Sequence, residues 1–245
     1  MPSPNPRLCV FGDSHMAAIK AAINENLVDT SGIDIEFWGN VGRRFRFLTW
    51  RNDRIEPLDT YTAHRFSKFN EKNRTVLSSE DFDMILFSGC RLALYKLFPE
   101  LLHRYRTPSE WISSGVERQI IADFLRNFPP YQFACNFAKQ GNAVPIFAPI
   151  SFNTDGFEST IPAKYSAAKK ATKANRTRIW RIVEDLMRED GVMLLPQDET
   201  TVVHGCQTKP IYAVENYLEI ADATHKNAKY GALVLEETLN RLRKL

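Results

Sequence analysis

Two short stretches hold residues able to do covalent chemistry. Near the start, Gly12-Asp13-Ser14-His15 follows the apolar run 7–11 (RLCVF) and precedes an alanine-rich segment with Ile19, Ile23 and Leu27 at helical spacing. Near the end, Asp222 stands three residues before His225 in DATHKN. A serine hydroxyl is a weak nucleophile at neutral pH and needs a base. Imidazole suits that task, and a carboxylate on its other nitrogen holds it in the right tautomer. Asp and His three apart are close enough on a turn to touch. Ser14 is therefore the candidate nucleophile, His225 its base and Asp222 the partner of the base. The competing reading is that Asp13-Ser14 merely caps a helix. The two are compatible, because a serine at a helix start also lies where backbone N–H groups can receive an oxyanion.

Such residues need a frame that brings chain ends together. Five apolar runs read as buried parallel strands: 7–11, 33–38, 83–88, 143–149 and 192–196. Helical patterns lie between most of them. One follows Ser14. One, capped by Ser109, has Val116, Ile120 and Phe124 as its apolar face. A long one runs from Tyr165 through Ile179 and Ile182 to Leu186, ending before Gly191, and a last one closes the chain. This alternation predicts a three-layer α/β/α sandwich around a five-stranded parallel sheet, in a single domain spanning 1–245. Two regions, 39–80 and 197–221, lack regular patterning and read as functional loops. In open parallel sheets ligands bind beyond the carboxyl ends of the strands. The five predicted strand ends lead into Gly12-Asp13-Ser14-His15, a stretch with Gly39 and Gly42, Ser88-Gly89-Cys90-Arg91, Pro149-Ile150-Ser151, and the connection that reaches Asp222 and His225.

FGDSH at one end and DATHKN at the other make the chain similar to the SGNH/GDSL hydrolases over nearly its whole length. The resemblance implies a flavodoxin-like strand order 2-1-3-4-5 and an esterase, deacylase or acyltransferase activity without metal or cofactor. It implies the roles already given to Ser14, Asp222 and His225. It also implies an oxyanion-hole glycine, for which Gly42 is the choice and Gly39 the fallback. The family's third block is usually G-x-N-D, and here Gly89-Cys90-Arg91-Leu92 puts arginine where asparagine is expected. Arg91 reads three ways: an oxyanion donor, a clamp for an anionic substrate group, or a solvated loop residue. His15 stands where the family commonly has leucine.

The segment FWGNVGRRFRFLTWRNDR interleaves Trp38, Phe45, Phe47 and Trp50 with Arg43, Arg44, Arg46, Arg51 and Arg54. It reads either as a substrate-facing loop suited to sugars or acidic glycans, or as aromatics folded inward. The basic run Lys164, Lys169, Lys170, Lys173, Arg176, Arg178 and Arg181 reads as a solvated helix face, since a net charge of +3 argues against a nucleic-acid partner. No window is apolar for long enough to span a membrane, and the N-terminus lacks the design of an export signal, so a cytoplasmic protein is expected. The four cysteines read as reduced and mostly buried. His64, His103 and His204 have no metal-ligand spacing, and no phosphate-binding glycine loop is present. The combined expectation is a serine-dependent ester hydrolase acting through an acyl-enzyme on a small acyl ester or acylated carbohydrate. The alternatives are acyl transfer to a glycan and a non-catalytic binding protein on the same fold.

Overall fold

The computed structural model describes residues 5–70, 72–157 and 160–245. In chain order its first elements are β1 (Arg7–Gly12), α1 (Met16–Asn24), β2 (Asp34–Gly39), β3 (Leu48–Arg51), β4 (Arg54–Pro57), α2 (Thr60–Ser67) and β5 (Leu77–Ser78). There follow β6 (Met84–Gly89), α3 (Phe98–Arg106), α4 (Ser114–Arg126), α5 (Pro129–Gln140) and β7 (Val144–Pro149). The chain ends with α6 (Lys173–Glu189), β8 (Met193–Leu194), β9 (Val202–Val203), β10 (Gln207–Thr208) and α7 (Ala228–Leu242).

The main sheet has the order β2-β1-β6-β7-β8, and all its pairs are parallel. Counting only these five strands, that is the expected order 2-1-3-4-5. The central strands read as continuous apolar runs because both faces are covered. Cys9, Phe11, Ile85, Phe87 and Phe147 face one core with α4, α5 and α6, whereas Leu8, Val10, Met84, Leu86 and Ile146 face the other with α1 and α7. Helices on both faces make the three layers.

Several boundaries differ from the sequence reading. The fifth strand keeps only two residues of the expected 192–196. Ser109 lies in a 3₁₀ turn, Pro108–Glu110, and Ser113 caps α4 by accepting the Val116 N–H at 3.3 Å. The fully buried stripe of α4 is Glu117, Ile121, Ala122 and Leu125; of the expected apolar face, Ile120 and Phe124 pack half-buried against the same core and Val116 is exposed. A charged residue, Glu117, sits in that stripe because Arg178 pairs with it. The long helix starts at Lys173, not at Tyr165, because Thr172 and Asn175 form a reciprocal capping box that stops the helix there. Region 39–80 is not a loop: a 3₁₀ turn at Gly42–Phe47 leads into a small antiparallel sheet, β3-β4-β5, and α2. Its hairpin turns on Asn52 and Asp53, both left-handed. Region 197–221 carries the short β9–β10 pair.

One packing contact bears directly on the site. A Cβ atom on Gly231 of α7 would lie 2.0 Å from the Ala18 carbonyl oxygen of α1. The bare glycine lets the two helices approach backbone to backbone, and Ser14 and His225 lie just before their N-termini. Gly231→Val should therefore lower stability by about 1–3 kcal/mol, the usual cost of overpacking. A shift of the urea midpoint at unchanged slope measures it.

Candidate active site

β1 and β6 are neighbours, so the loops at their carboxyl ends meet. The Asp13 side chain is buried and holds both loops. Its Oδ1 accepts the His15 N–H at 3.2 Å, and its Oδ2 accepts the Arg91 N–H at 3.1 Å. The Asp13 carbonyl also accepts the Met16 N–H at the start of α1. His15 is the cap residue of α1, no side chain caps the helix, and Asp13 serves to tie the two loops together. Ser14 is left exposed, with its hydroxyl free for another partner.

That partner is His225. Ser14 Oγ lies 2.7 Å from His225 Nε2, and His225 Nδ1 lies 2.7 Å from Asp222 Oδ2. Asp222 Oδ1 accepts the backbone N–H groups of Thr224 and His225, both at 3.0 Å. These bonds, and the His225 ring, outweigh partial burial and hold the Asp222 carboxyl down to about 2. An ionised carboxylate can only accept, so Nδ1 carries the proton and Nε2 is left to accept from Ser14. The loop is anchored from outside by Asp222 N–H on the Tyr217 carbonyl (2.8 Å) and Thr154 N–H on the Ala223 carbonyl (2.7 Å).

Two residues behind the triad went unread in the sequence or were read only as an oddity. The His15 ring stacks on His225 at 5.0 Å between centroids, and burial lowers its pKa below the ordinary imidazole value. Lys226 is buried and donates to the Ala223 and Thr224 carbonyls at 3.2 and 2.8 Å. Burial pushes its ammonium down to about 7, against the pull of Asp222; His15 and Tyr230 line the same small cavity. The neutral amine still has two N–H groups for those two carbonyls. The unfolded chain keeps this proton up to the ordinary value of 10.5. Between pH 7 and 10 the unfolded state therefore binds more protons at this site, and the site's contribution to stability rises with pH. Buried thiols pull the other way above roughly pH 8.5. The readout is thus the difference between wild type and Lys226→Met in denaturant titrations, and that difference should move in favour of wild type as pH rises.

Ser14 and His225 open onto a cleft of about 260 Å³ that is also lined by Gly42, Arg91, Tyr95 and Lys96. Of the two candidate oxyanion glycines, Gly42 lines this cleft. Gly39 is instead the last residue of β2, and a Cβ there would come 2.0 Å from the Gly12 carbonyl oxygen. Arg91 is held in an unusual backbone: Gly89, Cys90 and Arg91 have φ of 70°, 44° and 62°. Consecutive left-handed residues are costly for any side chain but glycine. The Cys90 N–H on the Ser88 carbonyl, the Leu92 N–H on the Gly89 carbonyl and the Asp13 carboxylate on the Arg91 N–H hold them there.

The aromatic–arginine segment divides. Trp38 and Phe45 are buried and Trp50 packs on Phe137, so these aromatics serve the core. Arg44, Arg46 and Phe47 stay on the surface beside Gly42. The Arg43 side chain lies outside the described part. In the basic run, Arg176 is not solvated: it is buried, pairs with Glu199 and donates to the Gly205 carbonyl at 2.6 Å. Among the described residues no cluster of three metal-ligating side chains occurs, and no helix is long and apolar enough to cross a membrane. No family model matches the chain, and no curated protein matches it in sequence.

Proposed function

We propose that the chain is a serine-dependent ester hydrolase of the SGNH type, working through an acyl-enzyme on a small acyl ester or acylated carbohydrate. The observation that carries this reading is the unbroken line from Ser14 Oγ through the His225 ring to the Asp222 carboxylate, with two links of 2.7 Å. In this reading Ser14 attacks the ester carbonyl while His225 Nε2 takes its proton. Asp222 stabilises the resulting imidazolium, and the N–H groups of Ser14 and Gly42 receive the oxyanion. The imidazolium then gives its proton to the leaving alcohol. Water repeats the sequence on the acyl-enzyme and releases the acid. No metal or cofactor is needed for any step. All four cysteines are buried and free, which suits a reducing compartment, and we place the protein in the cytoplasm.

The test is a screen of short-chain aryl esters and acetylated sugars, run beside fluorophosphonate labelling. Turnover with the label mapped to Ser14 is the expected result. An unlabelled, folded and inert protein would sink the reading. A glycan that speeds loss of ester while suppressing release of free acid would move the assignment to acyl transfer.

A further inference from the structure

The charge left over in the cleft has one sign. The one carboxylate among the described lining residues, Asp13, is already engaged by the N–H groups of His15 and Arg91, and Asp222 behind His225 is engaged by its own loop and the His225 ring. Arg91 and Lys96 line the cleft, and among the described residues neither has a carboxylate within ion-pair distance. The Arg91 guanidinium sits against Gly42, with Nη1 3.8 Å from where a Cβ of that residue would be. Its backbone is fixed by Asp13 in a conformation that arginine has no reason to adopt unaided. Beyond Gly42 the surface continues as a hollow of about 440 Å³ bounded by Arg44, Arg46 and Phe47.

We propose that Arg91 and Lys96 form a binding site for an anionic group on the substrate, so that the ester taken is one whose alcohol part carries a carboxylate or sulfate. The proposal rests on the reading of Ser14 as nucleophile and adds the substrate class. A guanidinium presents a planar fork matched to such groups, and an ammonium beside it adds charge without demanding geometry. In the hollow past Gly42, Arg44 pairs with Asp59 at 3.8 Å while Arg46 has no carboxylate within ion-pair distance among the described residues, so Arg46 offers the remainder of an acidic molecule, such as an acylated acidic sugar chain, a further positive group.

The experiment uses 4-acetoxybenzoate and 4-acetoxybenzamide, which differ in charge and little in shape, with 4-acetoxybenzenesulfonate to separate carboxylate from sulfate-like preference. Wild type should favour the anionic esters by about tenfold or more in kcat/KM, mainly through KM, with the preference fading as salt rises. Arg91→Gln and Lys96→Gln should each bring the anionic-to-neutral ratio toward one. Equal use of charged and neutral esters by wild type would overturn the proposal. So would an Arg91→Gln protein that loses both esters by the same factor, since that is the behaviour of an oxyanion donor. A second readout does not depend on turnover. Ser14→Ala protein titrated calorimetrically should bind 4-hydroxybenzoate more tightly than 4-hydroxybenzamide, and adding Arg91→Gln should erase the difference. If Ser14 proves not to be the nucleophile, that titration still decides the anion site; equal affinity for the two compounds rejects it.

Discussion

Ser14→Ala should reduce ester turnover on the order of 10⁴–10⁶-fold and abolish fluorophosphonate labelling. In the proposed reaction the substitution removes the atom that forms the covalent bond and leaves the rest of the cleft in place. Residual activity, if any, would come from the oxyanion donors and from binding, which act without a nucleophile. Stability should hardly move. Ser14 is exposed, its hydroxyl bonds only to His225 among the described residues, and it caps no N–H of α1. The circular dichroism spectrum and the urea midpoint therefore serve as controls on the same samples. A variant that folds, keeps its midpoint and still turns over esters at the wild-type rate would remove Ser14 from the chemistry.

Asp222→Asn should cost about 10⁴-fold in turnover at neutral pH. The amide is nearly the same size, so the loop can keep its path. Its oxygen can satisfy the Thr224 and His225 backbone N–H groups, as Oδ1 does now. The –NH₂ would then face His225 Nδ1 as a donor, which favours the tautomer with its proton on Nε2. That tautomer cannot take a proton from Ser14. The effect should appear in kcat with KM little changed, which separates it from a binding defect. The same carboxylate leaves a signature in stability. Its folded pKa is lowered to about 2, so its contribution is complete above the ordinary carboxylate value and is lost as pH falls toward 2. Acid titration of the folded protein should show the loss in wild type and a smaller one in Asp222→Asn.

The frame was readable where burial on both faces leaves no alternative. β1, β6 and β7 were foreseen within one residue because a strand covered on both sides must be apolar throughout. The pair Asp222 and His225 was readable because a fixed spacing on one turn sets their contact without help from the rest of the chain. Capping was harder. Ser109 and Ser113 are equally good caps in isolation, and what decides between them is Glu117, which enters the core only because Arg178, 61 residues away, accompanies it. The β3–β4 hairpin left a signal in Asn52-Asp53, two residues that tolerate left-handed backbone. The arginines around it carry the opposite signal, since the same residues suit a ligand-binding loop. The posture of Arg91 could not be read at all: it depends on a carboxylate, Asp13, that is 78 residues distant and looks like part of a serine motif.

The close seating of α7 on α1 has a consequence for the order of events during synthesis. Ser14 and His225 are 211 residues apart. Ser14 leaves the ribosome beside β1, a strand that must wait for β2 and β6, while His225 follows only after all five strands of the main sheet, just ahead of the helix that carries Gly231 onto Ala18. Until that helix docks, Ser14 is an ordinary alcohol on an unfinished sheet. On the proposed function, chains that stop short of α7 are chemically silent, and labelling of Ser14 reports that α7 has docked on α1.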